Sequence, residues 1–324
     1  MSVPVVTIFG GSGFIGRYVC QRMARLGWRV RVAVRRPDEA YFVRPYGVVG
    51  QVEPIQANIR DEASTRRAIA GADAVVNCVG VLAESGRQTF GALMDGGAGL
   101  IARIAAEEGV GRLVHVSAIG ADPGSDSAYA AASPRPLAAA FPGAVILRPS
   151  IVFGTEDHFF NRFAAMARFS PVLPLVGAGT RFQPVYVDDV AAAAVRGATG
   201  AAAPGVYELG GPEVASFREL VQRMLGIIRR RRFVVALPGP LARLAGDVSD
   251  LVSRITRGLV AGPLTADQVR QLAHDNVVAE GARGLADLGV AATPMQAVLE
   301  DYLYPYRPAG QYTEIQESAL RART

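Results

Sequence analysis

With 324 residues, half of them hydrophobic, the chain is long enough to bury a sizeable core in one large domain or one and a half. Its net charge of +5 and pI of about 9.5 rest on Arg, because the sequence has no Lys; this mild excess suits anionic cofactors, acidic partners or anionic lipid and excludes the dense basic stripe of a nucleic-acid binder. Cys20 and Cys78 sit singly in apolar segments, and His115, His158 and His274 share no ligand spacing, so a disulfide framework and a metal centre are both excluded and a reducing compartment is implied.

No secretory leader is expected, since Val3 already opens a strand, and no uninterrupted apolar run reaches the length of about 18 residues that spans a membrane. Short β-branched runs at 3–9, 29–35, 52–59, 74–79, 112–117 and 144–148 are nearly continuous in apolar residues, as strands covered on both faces are. Between them, 14–26, 62–70 and 93–108 space apolar residues by three and four, the helical period. The alternation predicts an α/β fold: a Rossmann-type doubly wound parallel sheet with a smaller C-terminal α/β part. After about Phe153 the alternation loosens, with a helix expected at 159–169, a strand running into a helix at 182–195, and a strand, turn and helix at 207–225. The expected division is an NAD(P)-binding domain over 1–153, a C-terminal substrate or docking region over 154–305 partly interleaved with the sheet, and a polar tail over 306–324. Within the second part, residues 241–260 repeat apolar side chains every three or four positions with charged ones between, which predicts an amphipathic helix.

Gly10, Gly13 and Gly16 follow the first strand and open the first helix. The glycines permit a tight turn, close approach of backbone to a pyrophosphate and close helix–strand packing, and the free helix-start amides face phosphate charge. The second strand ends in Arg35 and Arg36, with Arg17 nearby, where an acidic residue would bind the ribose 2′-hydroxyl of NAD. Guanidinium groups there match a 2′-phosphate and point to NADPH. The expected nucleotide site comprises Gly10, Ser12, Gly13, Phe14, Ile15, Gly16, Arg17, Arg35, Arg36, Asn58 and Ile59 at the adenine end, and Val79, Gly80, Tyr129 and Pro149 along the ribose–nicotinamide path.

The segments GGSGFIG, NCVG, HVSAIGAD, LRPSIVFG, QPVYVDDVA and YELGGPE, in this order, resemble the extended and atypical short-chain dehydrogenase/reductase superfamily. RPYGVVGQ (44–51), AFPGAVILRPSIVFGTEDHFFNRFA, PLTADQVRQLAHDNVV (263–278) and LADLGVAATPM narrow the likeness. Over roughly residues 1–305 the chain is similar to the short-chain-dehydrogenase-like accessory subunit of respiratory complex I and its bacterial relatives. That resemblance implies tight NADPH binding without demonstrated turnover, partners on the peripheral arm of complex I, and a cytoplasmic protein held peripherally at the cytoplasmic face of the inner membrane.

In active members of the superfamily a Tyr carries the proton that accompanies the hydride, and a Lys one helical turn later lowers its pKa. Here Tyr129 is followed one turn on by Ser133, and then by Pro134, Arg135 and Pro136, which interrupt a helix. Tyr129 is therefore expected to be vestigial. Ser117 is the candidate serine, although the usual position aligns with Ile119; Arg135 is a weak electrostatic substitute for the Lys. Asp188 and Asp189 lie at a strand-to-helix junction and suggest an N-cap more than a catalytic pair, and His115 reads as a packed histidine. Arg229, Arg230, Arg231 and Arg232, with the helix at 241–260, offer a membrane-surface or partner contact. The functional expectation is a non-catalytic NADPH-holding accessory or assembly subunit of complex I. A free NADP-dependent reductase or epimerase and an NADPH-sensing regulator are the alternatives.

Overall fold

The computed structural model describes residues 3–80, 89, 91–121, 127, 131, 135–238 and 266–310. The amphipathic segment at 241–260 and the end of the tail, 311–324, lie outside the described residues. The first half alternates as the sequence predicts: Val5–Phe9 (β1), Phe14–Arg25 (α1), Arg29–Val34 (β2), Val52–Gln56 (β3), Glu62–Ile69 (α2), Ala74–Asn77 (β4), Ala98–Glu107 (α3), Arg112–Val116 (β5), Arg135–Ala140 (α4) and Val145–Pro149 (β6). The second half contributes Val152–Phe153 (β7), Phe160–Phe169 (α5), Val172–Val176 (β8), Arg181–Phe182 (β9), Val185–Tyr186 (β10), Val187–Ala198 (α6), Gly205–Leu209 (β11), Ala215–Ser216 (β12), Phe217–Ile227 (α7), Phe233–Leu237 (β13), Ala266–Gln271 (α8) and Gln296–Leu303 (α9).

Seven strands form one sheet in the order β11-β6-β5-β4-β1-β2-β3, and every pairing in it is parallel. The order reverses between β1 and β4, so the carboxyl ends of these two strands open a crevice, the place where doubly wound sheets bind ligands. β11 arrives from the second half of the chain and extends the sheet beyond β6.

Both faces of the middle of the sheet are covered, which is why β1, β4, β5 and β6 read as nearly continuous apolar runs. Val6, Ile8 and Val32 pack with α1 and α6 on one face. Phe9, Val75 and Leu113 pack with α3 on the other. Each such fully buried side chain contributes about 1.5–3 kcal/mol of transfer free energy. A third cluster belongs to the C-terminal part and is aromatic: Phe153, Phe160, Phe182 and Phe217 pack with Met224, Leu299 and Tyr302. Helix α7 starts at a capping box, Ser216 and Glu219 bonding each other's backbone amides.

Several expectations are corrected. The strand expected over 52–59 ends at Gln56, because Asn58 turns the chain: its Oδ1 accepts from the Arg60 amide at 3.1 Å and its carbonyl from Thr65 Oγ1 at 3.1 Å. The helix expected from 93 is preceded by a π-helical turn over Gly91–Gly97. Gly99 lets α3 meet the α4 segment, since a Cβ there would lie 2.8 Å from Pro136 Cβ. Asp188 and Asp189 do not cap α6. The N-cap is Tyr186, and the two carboxylates fall inside the first turn, where they bind other segments. Asp188 takes a bidentate bond from Arg22 at 2.6 and 2.7 Å, and Asp189 accepts from the Thr293 amide and hydroxyl at 2.7 and 2.9 Å.

Candidate nucleotide-binding site

The glycine loop crosses the carboxyl end of β1. Gly10 adopts φ +70°, a region only glycine enters without strain, and a Cβ there would press on the Cys78 backbone at 3.2 Å. Gly13 donates to the Gly10 carbonyl at 2.9 Å and is the N-cap of α1, with no side chain capping the helix. The first-turn amides of Phe14, Ile15 and Gly16 therefore form an anion-ready helix start. Gly16 sits against the turn: an added Cβ would be driven into the Gly10 carbonyl oxygen and come within 2.7 Å of Gly11 Cα.

At the end of β2, Arg35 is exposed and makes no ion pair among the described residues. Arg36 pairs with Glu39 at 2.7 Å, both largely exposed, a contact of small net energy that an incoming phosphate can displace. Arg17 is held more firmly. Its guanidinium donates to the Ser12 carbonyl at 3.2 Å and to Glu156 at 3.0 Å, and lies 5.0 Å from the Phe42 ring centre. It braces the loop as well as charging it.

The turn after β4 is ordered by a buried pair. Asn77, wholly buried at the end of β4, accepts from the Val79 amide at 3.0 Å and faces His115 Nδ1 at 3.1 Å. That arrangement fixes the turn carrying Val79 and Gly80 beside the glycine loop. Burial pulls the His115 imidazole down to about 4 and pushes the Cys78 thiol up to about 12; both are neutral near pH 7, which agrees with the packed reading of His115. Ser117 follows β5, buried, its amide bonded to the Leu147 carbonyl at 2.7 Å, and the Ile119 amide is bonded to the Pro149 carbonyl at 3.0 Å. Tyr129, Ser133 and Pro134 lie outside the described residues.

The residues around β1, β2 and β4 fit a dinucleotide: an uncapped helix start, a glycine that only a bare backbone can occupy, and cationic groups at the end of β2. Gly10, Ser12, Gly13, Phe14, Ile15, Gly16 and Arg17 form one continuous cradle, with Arg35 and Arg36 at one side and Val79 and Gly80 at the other. Asn58 spends its side chain on its own turn, and Ile59 is buried.

Two features here were not foreseen from the sequence. The first is the loop after β7. Glu156 binds Arg17 and accepts from Tyr18 at 3.0 Å. The neighbouring Asp157, buried, accepts from the amides of Gly154, Phe159 and Asn161 and from the Tyr302 hydroxyl. Burial raises its carboxyl pKa and these four donors oppose the rise. The signal was present as two acids in FGTEDHFF, but their partners are remote in sequence. The second is α8 with the residues that follow it, which meet the end of β6. Asn276 receives the Ser150 hydroxyl at 2.6 Å and reaches the Ile119 carbonyl at 3.5 Å, and Asp267 receives the Ser127 hydroxyl at 3.1 Å. It thereby ties the end of β6 to the loop after β5.

No group of three or more His, Cys, Asp or Glu among the described residues is gathered as a metal site, and no described helix is long and apolar enough to cross a membrane.

The NAD(P)H-binding family profile matches residues 10–143, so the chain carries an NAD(P)H-binding domain. The backbone superposes on the NADPH-dependent quinone oxidoreductase of Escherichia coli, in complex with NADPH, with a TM-score of 0.67 over 92% of this chain and 98% of that one; at 19% identity this is a likeness of fold. Sequence kinship is closer elsewhere. The chain is 32% identical over 307 residues to the mitochondrial NADH dehydrogenase (ubiquinone) 1 alpha subcomplex subunit 9 of Rattus norvegicus, covering 91% of this chain and 78% of the relative. It is 34% identical over 316 residues to the protein of the same name from Arabidopsis thaliana, covering 94% and 79%. At this identity over more than nine-tenths of its length, the chain belongs to the family of the NADH dehydrogenase (ubiquinone) 1 alpha subcomplex subunit 9.

Proposed function

We propose that this protein holds NADPH as a structural cofactor and acts as a non-catalytic accessory or assembly subunit of respiratory complex I. The observation that carries the reading is the kinship with a subunit of that enzyme across 94% of the chain, reaching well past the nucleotide-binding half. A second fact supports the absence of turnover: every one of the 34 basic residues is Arg, and the sequence contains no Lys. No lysine can therefore lower the pKa of Tyr129. A phenol near its ordinary value of about 10 is protonated at neutral pH and is a poor base.

Bound dinucleotide would supply a hydride donor at its nicotinamide. This chain's residues bind and orient it. The amides of Phe14, Ile15 and Gly16 would hold the pyrophosphate, Arg35 and Arg36 the 2′-phosphate, and Val79, Gly80 and Pro149 would border the nicotinamide half. Residues 1–153 serve as the nucleotide-binding unit and 154–305 as the docking unit. The run from Arg229 to Arg232 divides by role. Arg230 and Arg232 donate to the carbonyls of Tyr306 and Ala167, both at 2.8 Å, whereas Arg229 and Arg231 are exposed. Beside them the outer face of the β8–β13 pair exposes Phe233 and Val235, with Phe169 next to it. Exposed arginines next to exposed aromatics suit the anionic head-group region and support attachment at the cytoplasmic face of the inner membrane.

The test is sedimentation of gently solubilised membranes with activity staining for complex I. Co-migration, with NADPH retained and not consumed by added quinones or carbonyls, is the expected result. A protein found wholly away from complex I, or steady NADPH oxidation abolished by Tyr129→Phe, would favour the free reductase instead.

A further inference from the structure

We propose that the face carrying Val3, Leu26, Val48 and Val49 is a second docking surface, and that its partner is a protein segment presenting an apolar side chain flanked by carboxylates. The proposal rests on the subunit reading above and adds a surface that the nucleotide site and the arginine run do not use. Val3, Val48 and Val49 border one depression at the amino ends of β1 and β2, the opposite end of the sheet from the glycine loop, and Leu26 lies in the chain between Arg25 and Gly27, which border it too. Val3, Leu26, Val48 and Val49 are 53%, 59%, 74% and 106% exposed, so Val49 stands as free of the protein as an isolated side chain. Single exposed apolar residues need no explanation, but a contiguous group does.

The loop that presents them is rigid. Gln51 donates through Nε2 to the carbonyls of Ala24 at 2.6 Å and Trp28 at 3.0 Å, and accepts at Oε1 from the Val48 amide at 2.9 Å. Its own amide bonds back to the Val48 carbonyl at 3.0 Å. One glutamine thus pins the valine loop to the end of α1. Gly47 leaves room for it, because a Cβ there would lie 2.5 Å from Gln51 Oε1. A loop fixed in this way presents its valines at little further entropic cost on binding.

Between the loop and α1 lies an open depression of about 520 Å³, bordered by Val3, Ala24, Gly27, Val48 and Val49. Arg25 and Arg29 stand at its edge, both exposed and neither in an ion pair among the described residues. Concavity selects a protruding side chain over the flat face of a bilayer. The two unpaired cations select carboxylates beside that side chain. They also disfavour a second copy of this chain, since a twofold contact through this face would set Arg25 and Arg29 against their own counterparts.

The experiment replaces the chain in cells with Val49→Asp, and separately with the double variant Arg25→Glu, Arg29→Glu. Solubilised membranes are then sedimented, and NADPH affinity and Tm are measured on the purified proteins. Val49→Asp should lower the fraction co-migrating with complex I by about tenfold or more, the effect of losing one central apolar anchor. The charge reversal should weaken it too, and added salt should weaken the wild type. Nucleotide affinity and Tm should stay unchanged, because both substitutions are exposed and distant from the glycine loop. Undiminished co-migration of Val49→Asp alongside a co-migrating wild type overturns this proposal and leaves the subunit reading standing. A wild type that does not co-migrate overturns both. A dimer lost in Val49→Asp makes a second copy the occupant and overturns the proposal.

Discussion

Acid should destabilise this fold through His115. The imidazole is 3% exposed on β5, and its Nδ1 faces the Asn77 side-chain amide. Asn77 Oδ1 is already taken by the Val79 amide, so the Asn77 Nδ2 end points to the ring and donates, and the ring proton sits on Nε2. Burial lowers the pKa from 6.5 to about 4. The unfolded chain therefore binds a proton near pH 6.5 that the folded chain refuses until about pH 4. Between those values the unfolded state holds more protons, so stability rises with pH. The contribution is complete above pH 6.5 and is lost as pH falls toward 4. At about 1.4 kcal/mol per pH unit the loss reaches roughly 3 kcal/mol. Protonation also turns Nδ1 from acceptor to donor, which would rotate the Asn77 amide and release the Val79 turn beside the glycine loop. Urea unfolding of wild type and His115→Leu at pH 7.5 and 4.5 checks this. The variant orphans the Asn77 Nδ2 group at both pH values, so it is less stable at pH 7.5, by about 1–3 kcal/mol. That gap should shrink by roughly 2–3 kcal/mol at pH 4.5. A gap independent of pH would refute the reasoning.

Gly16→Ala should destabilise the protein by about 1–3 kcal/mol and weaken nucleotide binding at least about tenfold, because the methyl group pushes the start of α1 off the Gly10 turn; thermal melts with and without NADPH measure both. Arg35→Ala should cost about tenfold or more in NADPH affinity, the value of a charge-assisted bond, and leave NADH affinity unchanged; equal losses for the two nucleotides would remove Arg35 from the 2′-phosphate. Tyr302→Phe takes a donor from the buried Asp157 carboxylate and should cost about 1.5–3 kcal/mol, seen as a lower Tm with nucleotide affinity intact; an unchanged Tm would mean that Asp157 is satisfied without it.

The middle of the sheet was legible because β1, β4, β5 and β6 are covered on both faces and so are written as nearly continuous apolar runs. The glycine loop was legible because its constraints are local: Gly10, Gly13 and Gly16 meet one another across a single turn. What escaped the sequence acts over long range. Arg17 meets Glu156, 139 residues away, and Arg22 meets Asp188, 166 residues away. Asp188 and Asp189 looked like caps because acids at a strand-to-helix junction favour that role, and tertiary partners took them instead. Arg230 and Arg232 were read as part of one outward-facing arginine contact, yet the carbonyls of Tyr306 and Ala167 claim them. Strand β8 has proline at its centre, Pro174, and no alternation strong enough to mark it before its pairing with β13 is known.

A nucleotide that undergoes no chemistry can still matter here through α1. This 12-residue helix begins at the phosphate cradle. Through Arg17 and Tyr18 it grips Glu156 in the loop whose Asp157 holds Tyr302 on α9. Through Arg22 it grips α6, and at its end the Ala24 carbonyl receives Gln51 of the valine loop. Displacing the start of α1 therefore strains α9, α6 on the same face of the sheet, and the exposed valines together. On the structural-cofactor reading, NADPH at 100 times its Kd adds about 2.7 kcal/mol to folding stability by mass action. That energy acts at the helix that also holds the valine loop and the loop after β7. Emptying the site should then reduce co-migration with complex I before it unfolds the chain, and Gly16→Ala should reproduce that loss at saturating NADPH concentrations for the wild type. If the empty protein co-migrates as well as the filled one, α1 does not couple the sites and the nucleotide's role lies elsewhere.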